Sequence, residues 1–141
     1  MKCFLLTSVF LLFIHSSGLA CTCLPAKNAT EEIGRSAAVF SGKVIEIRRD
    51  EGAKDLFATV EAVFEVERAW KGIEKKTVSV FTSSQSSACG YGFKRGESYL
   101  VYASEGREGR LITSICSRTR LLKDANDDLK ELGEGKEISG D

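Results

Sequence analysis

Four cysteines constrain this chain more than any other feature. Cys21 and Cys23 stand one residue apart behind an apolar leader, in Ser16-Ser17-Gly18-Leu19-Ala20-Cys21-Thr22-Cys23-Leu24-Pro25, and Cys89 and Cys116 follow far along the sequence. The leader carries one basic residue, Lys2, then an almost uninterrupted apolar run from Cys3 to Ile14, then small residues at Gly18 and Ala20. That is the pattern of a secretory signal peptide over residues 1–20, cleaved after Ala20. The run falls short of the roughly 20 apolar residues that a membrane span requires. Cleavage would remove Cys3 and His15, the single histidine of the sequence, and leave an even set of four cysteines. An even count in an exported chain implies disulfides, and four cysteines allow three pairings. The expected localisation is therefore secreted and extracellular.

Behind the cysteines the hydrophobic period sets the fold class. Asn28 to Ser36 reads as one short helix, with Asn28 as its cap and Glu31 three residues on, a capping-box arrangement. Asn28-Ala29-Thr30 is also an N-glycosylation sequon, and a glycan and a cap would compete for the same side chain. From Ala37 the period changes to two. Ala38, Phe40, Val44, Ile45 and Ile47 make a first strand, bulged near Gly42. After a charged loop from Arg48 to Asp55, Phe57 to Trp70 alternates, with Ala58, Val60, Ala62, Phe64 and Val66 on one face and glutamates on the wet one. Lys71-Gly72 turns the chain into a third strand, Thr77 to Phe81, and Ser83 to Ala88 is a polar loop that leads into Cys89-Gly90-Tyr91. Glu97 to Ala103 and Arg110 to Ile115 are two more strands, hinged at Glu105 to Gly109. Asp124 to Leu132 is a final helix, and Gly133 to Asp141 is expected to fray.

Five short strands with small flanking helices and two disulfides suit an all-β, five-stranded OB-like barrel over residues 21–133, followed by a polar tail over 134–141; a β-sandwich is the alternative. With 20 Lys and Arg against 20 Asp and Glu, nothing points to a nucleic-acid surface. An enzyme is not expected. The mature chain would hold no histidine, and Ser83 to Ser87 with Lys75 or Lys94 shows no nucleophile spacing. Trp70 and Tyr91 are expected in the core or at its rim.

Cys21-Thr22-Cys23-Leu24-Pro25 at the mature amino terminus, Ala88-Cys89-Gly90-Tyr91 before the fourth strand and Cys116 after the fifth resemble the N-terminal, netrin-like domain of the tissue inhibitors of metalloproteinases. The resemblance covers Cys21 to about Leu122. It implies disulfides Cys21–Cys89 and Cys23–Cys116, an OB-type barrel, and inhibition of metzincin-like zinc metalloproteases by a monomer. Such an inhibitor has no cofactor or metal of its own. The α-amine and carbonyl oxygen of Cys21 would chelate the protease's catalytic zinc, which keeps one coordination position open for water. Thr22 would enter the specificity pocket beside the zinc. Cys23, Leu24 and Pro25 would continue the ridge, and Ser87 and Ala88 would fill the other side of the cleft. A third disulfide of that family has no counterpart here, since no cysteine lies near Ser36 or in the final helix.

Rival readings start from the same residues. An exported netrin-like module that binds partners without inhibiting a protease is the alternative function, because fold does not imply function. Lipidation of Cys21 would acylate its amine and anchor the chain to a membrane, but Leu19 sits one position off the usual lipobox place. A metal site built from the four thiols is disfavoured by the one-residue spacing of Cys21 and Cys23 and by an oxidising compartment.

Overall fold

The computed structural model describes residues 21–50, 52, 54 and 58–140; the leader, and the loop and strand ends expected at Asp55 and Phe57, lie outside the described residues. Seven strands and two helices follow in the order α1 (Ala29–Arg35), β1 (Ala38–Arg49), β2 (Val60–Lys71), β3 (Thr77–Thr82), β4 (Ser98–Glu105), β5 (Leu111–Ile112), β6 (Arg120–Leu121), α2 (Asn126–Leu132) and β7 (Lys136–Glu137). β1 pairs antiparallel with both β2 and β4, β2 with β3, β3 runs parallel to β5, and β5 returns antiparallel to β4. The ring β1-β2-β3-β5-β4-β1 is closed, which makes the fold an all-β, OB-like barrel and not a sandwich.

Closure depends on bending the two 12-residue strands β1 and β2. The β1–β2 register shifts at Val39/Phe40, at Ser41/Gly42 and at Val44/Glu46, so the bulge expected near Gly42 is present and the last shift skips Ile45. A Cβ on Gly42 would sit 2.7 Å from the Glu65 carbonyl oxygen, so the bend requires glycine. Inside the barrel, Ala62, Phe64 and Val66 of β2 meet Phe40, Val44, Val80, Phe93, Tyr99 and Val101. Phe40–Phe64, Phe64–Phe93 and Phe93–Tyr99 pack edge to face at centroid distances of 5.3, 5.1 and 5.0 Å.

A second apolar layer lies outside the barrel. Val39 of β1 and Leu100 and Tyr102 of β4 face outward, and Ala29 and Ile33 of α1 with Ala125, Leu129 and Leu132 around α2 cover them. Burial on both faces explains why β1 runs Ala38–Gly42 without an exposed position. The helices are also joined head to tail. Glu131 of α2 accepts from Ala29 N and Thr30 N at 3.2 and 3.0 Å and from the Thr30 hydroxyl, supplying the orphan donors at the start of α1. The Thr30 hydroxyl and then the Thr30 N–H hold its carboxyl below the usual range. Asn28 Oδ1 accepts from Glu31 N at 2.8 Å as expected, but Glu31 reaches Lys27 N, one residue outside the box. The cap uses only Oδ1, so a glycan on Nδ2 would not compete with it, contrary to the expectation from sequence.

The tail does not fray. Lys136–Glu137 pairs with Arg68 and Ala69 of β2, Ile138 is 3% exposed and belongs to the barrel core, and Gly133 O accepts from the Trp70 indole at 2.8 Å. One apolar residue in a polar segment had enough area to dock it. The last barrel strand is also shorter than expected. It stops at Ile112, and the chain leaves the sheet before returning as β6.

Asp128 is 1% exposed and anchors the outer layer. It accepts from Arg118 Nε and Tyr102 Oη at 2.9 Å each, and Arg118 Nη2 closes a bidentate pair. Burial pushes its carboxyl up, but the hydrogen bonds from Arg118 and Tyr102 and the charges of Arg118 and Arg120 outweigh burial and hold it below the ordinary value. A depressed folded-state pKa adds stability that is complete above about pH 4 and is lost as pH falls through the folded value. Asp128→Asn should lower stability at pH 7 by about 3 kcal/mol and flatten the acid limb of a urea-midpoint profile below pH 4; an unchanged acid limb would remove Asp128 from the account. Ile138→Ala should lose about 3 kcal/mol in the same assay, and a loss near zero would return the tail to solvent.

Candidate functional site

Two loops and the amino-terminal segment meet at one end of the barrel. Cys21–Ala26 has no regular secondary structure and is tied down by disulfides Cys21–Cys89 and Cys23–Cys116, with Cα–Cα distances of 5.5 and 5.0 Å. These are the partners that the resemblance implied. Cys21 Sγ lies 3.6 Å from Cys116 Sγ, so the two bonds are neighbours. Cys21, Cys23 and Cys116 bring three sulfurs within 4.8 Å, but each is bonded in a disulfide and none is a thiolate, which removes the four-thiol metal site. In the chain-entropy account, a cross-link spanning 68 residues contributes about 4 kcal/mol.

The loop that carries Cys89 is built from small hydroxyl residues because its backbone must close on itself. Thr59 Oγ1 accepts from Ser84 N at 2.7 Å, Ser83 Oγ from Gln85 N at 3.0 Å, and Thr82 Oγ1 from Tyr91 N at 2.9 Å. Ser86–Ala88 forms a single 3-10 turn that ends on Cys89 in the left-handed region, φ 57°. The loop is so tight at the next residue that a Cβ on Gly90 would lie 2.0 Å from the Ser83 carbonyl oxygen. Tyr91, half-buried behind the turn, has its hydroxyl pushed up to about 12, by burial first and then by Tyr99.

The loop that carries Cys116 is an excursion from the sheet. β5 pairs with Ser104 and Glu105 of β4, and β6 pairs with Tyr99 and Leu100. Between them Tyr102 has no strand partner on this side, and side chains take the place of the ladder. Thr119 Oγ1 accepts from Tyr102 N at 3.0 Å, and Thr113 Oγ1 donates to Tyr102 O at 2.8 Å. Ser117 Oγ bonds Thr119 Oγ1 at 2.8 Å, and Ile115 N donates to Cys89 O at 3.0 Å, which joins the two loops directly.

The sequence-predicted contact residues fall together here. Thr22, Leu24, Pro25 and Ser87 are exposed, while Cys21, Cys23 and Ala88 are half-buried, so the segment presents alternate side chains outward. Leu24 is 88% exposed. Ala26, at the end of the ridge, is buried, and its carbonyl accepts from Arg118 Nη1 at 3.4 Å. Sequence reasoning missed Ile115, 50% exposed beside Cys116, because it assigned that residue to a strand. The alternation of hydroxyls in Thr113-Ser114-Ile115-Cys116-Ser117-Arg118-Thr119 was the available sign of a loop held by side chains.

No protein-family model matches the chain, and no curated protein matches it. Among the described residues no helix is long and apolar enough to cross a membrane. The disulfides fit an oxidising compartment.

The geometry of the Cys89 loop gives a direct check. Gly90→Ala should cost about 2 kcal/mol, because the atom in the way is backbone, whereas Gly92→Ala, with open space at its Cβ, should be near neutral in the same denaturation assay. Equal effects at the two positions would refute the tight closure of this loop.

Proposed function

We infer that the mature protein begins at Cys21 and is an exported inhibitor of zinc metalloendopeptidases of the metzincin kind. One observation carries this reading. A five-residue segment, Cys21–Pro25, is clamped to two different loops at positions two residues apart, while Thr22, Leu24 and Pro25 remain exposed. A stable module could be stapled anywhere along its strands. Clamping the first residues of a mature chain, and leaving their alternate side chains outward, pre-organises a ridge.

The chemistry follows from which groups that ridge offers. A free α-amine next to its own carbonyl oxygen can close a five-membered chelate ring on a metal, and an α-amino pKa near 8, roughly, makes the neutral form accessible at physiological pH. The backbone of Cys21 would fill the open coordination position of the protease's zinc. Ordering a loose tail at the moment of binding would consume much of the gain, and the two disulfides remove that cost in advance. Thr22 would enter the adjoining specificity pocket, Leu24 and Pro25 would extend the contact, and Ser87 and Ala88, tied to Cys21 through Cys89, would line the other side. The inhibitor would act as a secreted monomer without a metal or cofactor of its own.

The amino terminus decides between this function and a binding module that uses another surface. Mature protein beginning at Cys21 is expected to inhibit a panel of metzincin catalytic domains. A form with one extra alanine before Cys21 should lose inhibition by at least about a hundredfold, since the amine becomes an amide, while its disulfide map and thermal unfolding stay unchanged. Equal inhibition by both forms would refute chelation, and capture of partners by both without inhibition would favour the binding module.

A further inference from the structure

Beside the Cys21–Cys89 bond, a cleft of 320 Å³ opens between the end of α1 and the two loops. Glu32 lies in its wall and is 8% exposed. A carboxylate this buried ordinarily has a cation or several donors. Among the described residues, the only hydrogen bond to the Glu32 carboxylate is a long one, from Arg118 N to Oε1 at 3.4 Å. The two nearby cations are committed elsewhere: Arg118 to Asp128, and Arg35, one turn along α1, to Glu31. The second carboxylate oxygen accepts no hydrogen bond among the described residues and stays open to the cleft, whose wall also holds Arg35 and the hydroxyl residues Ser36, Ser104, Thr113, Ser114 and Ser117. Hydroxyl oxygens retain acceptor capacity, so the lining favours a ligand rich in N–H donors.

We propose that this cleft is a binding site for an organic cation, a primary ammonium or a guanidinium group, with the Glu32 carboxylate as its counter-ion. Ala88 and Ile112 give the cleft an apolar side for the alkyl stem of such a group. The cleft borders the loop to which the ridge is clamped, through Ala88 and Cys89, so a protein seated on the ridge could present a lysine or arginine side chain to it. That source rests on the inhibitor reading. A free amine offers the same chemistry and does not.

The test has two arms. In the first, amide chemical shifts of the disulfide-intact mature protein are followed during titration with ethylguanidinium chloride and n-butylammonium chloride. Shifts confined to Glu32, Ser36, Ser104 and Thr113, saturating with a Kd of about 1 mM, are expected for one charge-assisted contact and a short stem. Glu32→Gln, which keeps the shape and removes the charge, should weaken binding at least about tenfold. Ser104→Phe, which narrows the cleft and leaves Glu32 in place, should do the same. Shifts spread over other carboxylates, no shifts, or binding retained in Glu32→Gln would overturn the site. In the second arm, the inhibition constant of Glu32→Gln against a metzincin catalytic domain is compared with that of the parent. A tenfold rise assigns the cation to the protease. An unchanged constant with the first arm positive assigns the site to a free amine. If neither protein inhibits, the inhibitor reading fails while the first arm still decides the cleft.

Discussion

Everything at the functional end of this molecule depends on how β4 satisfies its backbone where it has no strand beside it. β4 closes the barrel against β1 along one edge, but on the other edge β5 and β6 cover only its two ends. A buried N–H or C=O left without a partner costs about as much as a lost hydrogen bond or more. At Tyr102 the hydroxyls of Thr113 and Thr119 supply both. Because side chains do the work of a ladder there, the chain between them is free to leave the sheet, and Cys116 and Ile115 project from the barrel within reach of the amino terminus.

The same residue connects that edge to the outer layer. Tyr102 turns its ring away from the barrel interior, and its hydroxyl meets Asp128, whose carboxylate in turn holds Arg118. Burial pushes the Tyr102 hydroxyl far up, with the bond to Asp128 next, so it remains a donor. Arg118 also reaches the Ala26 carbonyl at the end of the ridge. A single buried network thus ties α2, β4 and the amino-terminal segment, and the disulfides complete the clamp at Cys21 and Cys23. Glu32 stands at the edge of this network: it accepts one long hydrogen bond from Arg118 N, while the Arg118 guanidinium is bound to Asp128, and its carboxylate faces the cleft with no ion pair among the described residues.

The barrel was largely legible because its signals are local. Alternation in Ala58 to Val66 follows from the two-residue period of a strand, and the bulge near Gly42 from a glycine inside such a pattern. The short helix follows from Asn28 and Glu31. The misreadings share one cause. Arg110 to Ile115 has the composition of a strand, but its length in the sheet was set by competition from the hydroxyls of Thr113 and Thr119, whose common partner Tyr102 lies 11 and 17 residues away. The tail looked disordered because its polarity hid Ile138, and its docking depends on Arg68 and Ala69 of β2, far back in the chain.

The sequence by itself determined the all-β class and the positions of most strands, because hydrophobic period and glycine placement act over a few residues; it left three cysteine pairings open, and the clamp on Cys-Thr-Cys was implied only by the family resemblance. Tertiary structure alone decided where the last strand ends, that Ile115 stands beside the ridge, that Arg118 serves Asp128 and that Glu32 has no ion pair among the described residues. Those outcomes are choices among several donors and acceptors, and the choice is made by distances that exist only once β4 has closed the barrel.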